Sequence, residues 1–188
     1  TWHVQNVPVM VRAFVAFEIS EEMRDRLTAA QEVLRKSTAR LAFVDPPLIH
    51  ITVKFLGEVD EKKLPLVIRA LDTVKAVPFP ATGNRVTVNN FKSPHTVWCA
   101  IDDAGKGRGV FGAVESVLAP LGFPRETRQF FPHATLARVK IADPSLFRCL
   151  DELKNAPCGS CMVSGLKLKK STLTPRGPVY EDLHEVAW

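Results

Sequence analysis

"HITVKFLG", residues 50 to 57, and "HATLARVK", residues 133 to 140, decide how this chain is read. Both runs look like β-strands, and each carries a histidine followed two residues later by a threonine. Side chains on a strand alternate between faces, so residues two apart share one. His50 and Thr52 therefore point one way, with Ile51, Val53 and Phe55 on the other side, expected to be core. His133 and Thr135 also share a face, opposite Ala134, Leu136 and Arg138. At about 3.3 Å per residue, each pair sets an imidazole and a hydroxyl roughly 7 Å apart along its strand.

The surrounding pattern repeats as well. "RAFVAFEI", residues 12 to 19, alternates like a strand, and Ser20 can cap the helix that carries Met23, Leu27, Ala30 and Leu34. Arg40 to Pro47 breaks the helical period, and the two prolines exclude α-helix there. After the first His-strand, Asp60 can cap a helix with the stripe Leu64, Val67, Ile68, Leu71 and Val74, ended by Pro78 and Pro80. "NRVTVNNF", residues 84 to 91, reads as a strand. "TVWCAID", residues 96 to 102, then opens a second round: a glycine-containing loop, a helix through Val110, Val114 and Leu118, the second His-strand, and a helix begun by Asp143-Pro144. Two closing strands are expected, in "MVSGLKLKKSTL" and "PVYEDLHEVAW". Phe14 precedes His50 by the same interval as Val97 precedes His133, which suggests an internal duplication. The expected fold class is α+β: two pseudo-symmetric lobes of mostly antiparallel sheet with helices packed outside.

Composition sets the outer bounds. The chain has 188 residues, 46% hydrophobic and 24% charged, which is enough to bury one core. Residues 10–188 are expected to form one domain, and residues 1–9 a tag remnant or short tail. No apolar run approaches a membrane-spanning length, and no secretory signal opens the chain. A soluble cytoplasmic monomer is expected. The net charge of +5 suits an anionic ligand or, more plainly, solubility. Cys158 and Cys161 have C-x-x-C spacing without a second pair or histidine pair to complete a zinc site, so all four cysteines read as ordinary thiols. The glycines at 105, 107 and 109 are not a P-loop, because no Gly-Lys-Ser/Thr closes them.

Two imidazoles and two hydroxyls suit one phosphate. Histidine titrates near neutrality and can serve as base or acid, and threonine can donate to a non-bridging oxygen. A neutral histidine would activate water while a protonated one feeds the leaving oxygen, each worth about 10² to 10⁴ in rate. Two histidines without a linked carboxylate make a poor metal set, so no metal and no cofactor is expected. A lone His-x-Thr would mean core or chance. The second copy, in a matching place, turns the reading toward chemistry.

The chain resembles the two-histidine phosphoesterase superfamily, and within it the LigT-like RNA 2′,3′-cyclic phosphodiesterases, historically called 2′-5′ RNA ligases. Both H-x-T-x motifs match, as His50-Ile51-Thr52-Val53 and His133-Ala134-Thr135-Leu136. "DPPLIHITVKFLGEV" and "FFPHATLARV" match their surroundings. "STLTPRGPVYEDL" matches the closing strand pair through Ser171, Leu173, Gly177 and Tyr180. The chain departs from the family at Phe43, where a tryptophan is usual, and at Leu48-Ile49, where Asn-Leu is usual.

The resemblance implies a cleft between two lobes and an RNA end, or a small nucleotide, bearing a 2′,3′-cyclic phosphate. It implies hydrolysis to a 2′-phosphate, with His50 as proton donor to the departing 3′ oxygen, His133 as proton acceptor from water, and Thr52 and Thr135 on the non-bridging oxygens. Spacing alone leaves the two histidine roles interchangeable. The same pair can run in reverse, joining RNA ends through a 2′-5′ bond. The alternative is a nucleotide- or RNA-binding module that uses the cleft without turnover. The resemblance also sets Arg138 near the phosphate, whereas simple alternation puts it opposite His133; a bulge or a strand end would reconcile the two. Lys54 shares parity with His50, so it either meets the RNA backbone or sits solvated. Phe43 and Phe131 either stack on a base or, more simply, fill core.

Overall fold

The computed structural model describes residues 7–188; the remainder of the expected N-terminal tail, with His3, lies outside the described residues. The strands are β1 (Met10–Phe17), β2 (Arg40–Phe43), β3 (Ile51–Asp60), β4 (Phe79–Val88), β5 (Thr96–Asp102), β6 (His133–Ile141), β7 (Ser160–Val163), β8 (Gly165–Thr174) and β9 (Gly177–Ala187). The helices are α1 (Glu21–Leu34), α2 (Leu64–Leu71), α3 (Lys106–Leu118) and α4 (Pro144–Glu152). Two of the expected caps form: Ser20 accepts from the Met23 amide, and Asp143 from the Ser145 amide ahead of Pro144. Asp60 instead caps a 3₁₀ turn (Glu61–Lys63) that leads into α2, accepting from the Lys62 amide, and α2 ends at Leu71, well before Pro78.

All strands join one sheet in the order β7-β4-β5-β6-β3-β1-β8-β9, with β2 beside β6, and every pairing among the described residues is antiparallel. The two lobes meet where β3 and β6 touch. That seam is a single rung, Ile51 opposite Ala134. Beyond it the strands part, and β2 takes over as the partner of β6 from Ala137 onward. The helices cross the seam. α1 follows β1 but packs with α4, β6 and β7; α3 follows β5 but packs with α2 and β3. Each lobe thus covers the other's strands, and Met23, Leu27, Ile51, Leu118, Leu136 and Leu146 lie fully buried in one core.

Several sequence expectations shift. The last segment holds three strands rather than two, because the run from Met162 breaks at Ser164. Gly165 there lies against β9, where a Cβ would collide with the Val186 carbonyl. Upstream, β4 begins at Phe79 rather than at residue 84, and the stretch from which the prolines exclude α-helix holds β2 and a 3₁₀ turn (Pro46–Leu48). The repeat is also offset by one. Phe14 pairs with Phe55, five residues after His50; the residue paired with Arg138, five after His133, is Thr96 and not Val97. Val97 matches Val15 instead, and both are wholly buried. A one-residue slip moves a side chain to the other face of a sheet.

The lobes share a core through one rung, so they should unfold together. Ile51→Ala is expected to cost about 2–5 kcal/mol and to leave a single transition by both fluorescence and circular dichroism in urea. Two separated transitions would contradict the shared core.

Candidate active site

One rung decides the site. With Ile51 opposite Ala134 in antiparallel register, the next residue on each side puts His50 opposite Thr135 and Thr52 opposite His133. All four share the face away from the helices. Directly opposed residues have Cβ atoms about 4.5–5.5 Å apart, and the two histidines, on the diagonal, about 7–8 Å. That gap suits one phosphate between two imidazoles.

The two rings are held alike. His50 Nδ1 lies 2.7 Å from the carbonyl of Leu48, and His133 Nδ1 lies 2.8 Å from that of Phe131, each two residues upstream. A carbonyl only accepts, so both hydrogens sit on Nδ1 and both Nε2 atoms carry a lone pair in the neutral ring. His50 Nε2 accepts from the Thr52 hydroxyl at 2.9 Å. Phe14 packs on the His50 ring at 4.9 Å between centroids, and Trp98, opposite Thr135, packs on the His133 ring at 4.1 Å. Tyr180 from β9 meets Phe14 and His50 edge-on.

Burial of the rings is the main force on their titration, and it pushes both pKa values below the ordinary 6.5. Leu48 and Phe131 oppose it by accepting from the protonated rings. The charges of Lys169 and His133 add to the lowering at His50, against Glu18; the charge of Arg138 adds to it at His133. Lys169 is itself engaged by Glu18 at 2.5 Å and Asp182 at 2.8 Å. Burial likewise raises Tyr180, while Arg138, Arg12 and Lys169 pull it back.

A bulge at the fourth motif position decides where the residues beyond each threonine point. The pairing of β3 with β1 skips Val53, and that of β6 with β5 skips Leu136. Each bulge flips the faces of the next residues. Arg138 therefore returns to the histidine face, where Nη1 donates to the buried Thr96 hydroxyl at 3.0 Å. The bulge that the sequence required to reconcile Arg138 with the motif is present.

The same flip corrects Lys54. It leaves the cleft face and is neither solvated nor available to an RNA backbone, being only 4% exposed. Its Nζ donates to Glu115 Oε1 at 2.5 Å and to the Pro124 carbonyl at 2.8 Å. In its place the cleft gains Phe55, opposite Phe14 and 61% exposed. Of the other aromatics, Phe43 pairs with Ala137 on the helix side under the Arg35 guanidinium. Phe131 is exposed and not core. Among the described residues no three His, Cys, Asp or Glu side chains gather as a metal-ligand set, and all four cysteines are buried free thiols.

A family model described as LigT like Phosphoesterase matches residues 17–98 and 108–180. The chain belongs to that family. A Methanothermobacter thermautotrophicus protein named RNA 2′,3′-cyclic phosphodiesterase is 33% identical over 180 residues, which cover 92% of this chain and 96% of that one. An Archaeoglobus fulgidus protein of the same name is 32% identical over 174 residues, covering 92% and 98%. A crystal structure of a Thermus thermophilus protein superposes with a TM-score of 0.78 at 26% identity, covering 94% of this chain and 97% of that one. E. coli LigT complexed with 3′-AMP shares the fold, with a TM-score of 0.77 at 21% identity over 95% and 98% of the two chains.

Sequence reasoning missed Phe14, Trp98, Thr96 and Phe55 as members of this site. The alternation of β1 already puts Phe14 on one side with Glu18, but only the cross-strand register shows which side faces the histidines. In a proton-detected histidine titration of the free protein, both rings should titrate below pH 6.5. Added inorganic phosphate should raise both values, because an anion between the rings favours their protonated forms. A response confined to one ring would contradict a shared site.

Proposed function

We infer that the chain is an RNA 2′,3′-cyclic phosphodiesterase that opens a terminal cyclic phosphate to a 2′-phosphomonoester. The observation that carries this reading is the pair of His-x-Thr motifs facing each other across one rung, both rings held at Nδ1 by a main-chain carbonyl. Membership of the phosphoesterase family and the shared name of the near full-length relatives support it. Thr52 and Thr135 donate to the non-bridging oxygens, and the Arg138 guanidinium offsets the negative charge that grows in the transition state.

The asymmetry of the cleft supports the order of proton transfers. Position five after His133 is a cation, Arg138, while position five after His50 is an exposed aromatic, Phe55, with Phe14 beside it and Tyr180 against Phe14 and His50. A nucleoside has one apolar, stackable end, so base and ribose lie on the His50 side. The leaving 3′ oxygen belongs to that ribose. Protonated His50 therefore gives its Nε2 proton to the 3′ oxygen as the P–O3′ bond breaks. Water enters opposite the leaving group, and neutral His133 takes its proton at Nε2. The product keeps the phosphoryl group on the 2′ oxygen, and proton exchange with solvent resets the two rings. With a 5′-hydroxyl in place of water as the nucleophile, the same displacement of the 3′ oxygen forms a 2′-5′ bond, His133 taking the hydroxyl proton and His50 protonating the 3′ oxygen.

Two threonine hydroxyls and one guanidinium meet the phosphate oxygens in this scheme, and every proton moves through an imidazole; activity should therefore survive EDTA. The plot of kcat/KM against pH should be bell-shaped, with its maximum below 6.5 because both free-protein imidazoles are lowered. The kcat profile should sit at higher pH, since the bound anion lifts both rings. His50→Ala and His133→Ala should each lower kcat by about 10² to 10⁴, and Phe55→Ala should mainly raise KM. The deciding assay is an oligonucleotide ending in a 2′,3′-cyclic phosphate. A 2′-phosphate product supports the reading, a 3′-phosphate reverses the histidine roles, and binding without turnover makes the chain a binding module.

A further inference from the structure

Both imidazoles depend on a main-chain carbonyl outside the paired strands, and each carbonyl lies in a segment gripped by a buried or nearly buried cation. Leu48, which accepts from His50, belongs to the 3₁₀ turn Pro46–Leu48. Arg24 reaches over from α1, and its Nη1 donates to the Pro46 carbonyl at 2.7 Å and the Ile49 carbonyl at 3.2 Å. Those two carbonyls bracket Leu48.

Phe131, which accepts from His133, closes the loop between α3 and β6. Here Lys54 supplies the cation, from the strand that follows the other histidine. Its Nζ holds the Pro124 carbonyl, while Glu115 joins Lys54 to the Glu126 amide, which donates to Oε2 at 3.0 Å. One turn earlier on the same face of α3, Phe111 stacks on Phe130, with centroids 5.0 Å apart and planes 9° from parallel. One turn earlier again is Gly107, where a Cβ would lie 3.2 Å from the Phe130 ring. A single helix face therefore grips the loop at both ends.

A buried Lys–Glu pair is costly to desolvate and gives little net stability compared with apolar packing. Neither Arg24 nor Lys54 faces the phosphate gap. We propose that Arg24 and the Lys54–Glu115 pair are positioning residues, each fixing the carbonyl that keeps one histidine in its Nδ1–H tautomer with Nε2 toward the phosphate. The inference rests on His50 and His133 being the acid–base pair, but its first readout does not depend on activity.

Nitrogen-15 NMR of the imidazoles, recorded above their titration range, reads the tautomer directly. Both rings should carry hydrogen on Nδ1 in the parent protein. Arg24→Met should turn His50 into a tautomer mixture and leave His133 alone. The double variant Lys54→Met/Glu115→Leu, which leaves no buried ion unpaired, should do the reverse.

In the two disruptive variants kcat should fall by up to about 10²-fold with KM little changed. Each carbonyl favours its protonated ring, so its loss should move only the matching limb of the pH profile, toward lower pH. The charged groups that act on the rings are Lys169, Glu18 and His133 at His50 and Arg138 at His133; all stay in place. Should the double variant not fold, Phe111→Leu loosens the same loop without removing a charge and carries the same expectation for His133. Folded variants that keep both tautomers and both limbs would overturn the proposal, as would variants that disturb both rings alike.

Discussion

The site depends on one hydrogen-bonded rung. Two strands from different lobes touch at Ile51 and Ala134, and antiparallel pairing does the rest. Because side chains alternate, the residues flanking that rung share a face, and because the strands run oppositely, each histidine meets the other motif's threonine. A register shift of one residue on either strand would turn the pair on that strand into the core. The buried Ile51 and Ala134 oppose such a slip, since it would put apolar side chains in the cleft and imidazoles under the helices.

Two near-symmetric halves would hold a phosphate without orienting a nucleotide. The asymmetry enters at the same position of each bulged strand, where one half presents Arg138 and the other Phe55. A symmetric anion site thereby acquires a charged side and a stacking side. The electrostatics agree with this division. Burial disfavours the charged form of both imidazoles in the empty site, which opposes two like charges at close range. On the proposed reading, an arriving phosphate monoanion supplies the charge that lets one of them hold a proton. In the proposed mechanism the substrate itself creates the acid–base pair that its hydrolysis needs.

Much of this is legible in the residues. Periodicity of two picks out both histidine strands, periodicity of 3.6 marks the four helices, and the caps at Ser20 and Asp143 fall where the chain begins to coil. What alternation cannot supply is the position of the bulges. A bulge adds one residue without a compositional mark, since Val53 and Leu136 look like any strand residue. That is why simple alternation sends Lys54 to the cleft and Phe55 to the core, when each occupies the other's side. Arg138 escapes the same fate only because the motif resemblance demands a face that simple alternation denies. The one-residue offset of the repeat has a similar origin: counting along the chain matches Phe14 to Val97, whereas pairing in the sheet matches it to Thr96. Helix exchange across the seam is equally hidden, because a helix stripe shows that a face is buried but not against which strands.

The central claim is that both His-x-Thr pairs serve a single phosphate, and a crystal structure with a 2′-phosphorylated nucleoside tests it most directly. One phosphoryl group should lie within hydrogen-bonding reach of His50 Nε2, His133 Nε2 and both threonine hydroxyls, with the base against Phe55. A phosphoryl group held by only one motif, or seated elsewhere on the sheet, would contradict the account.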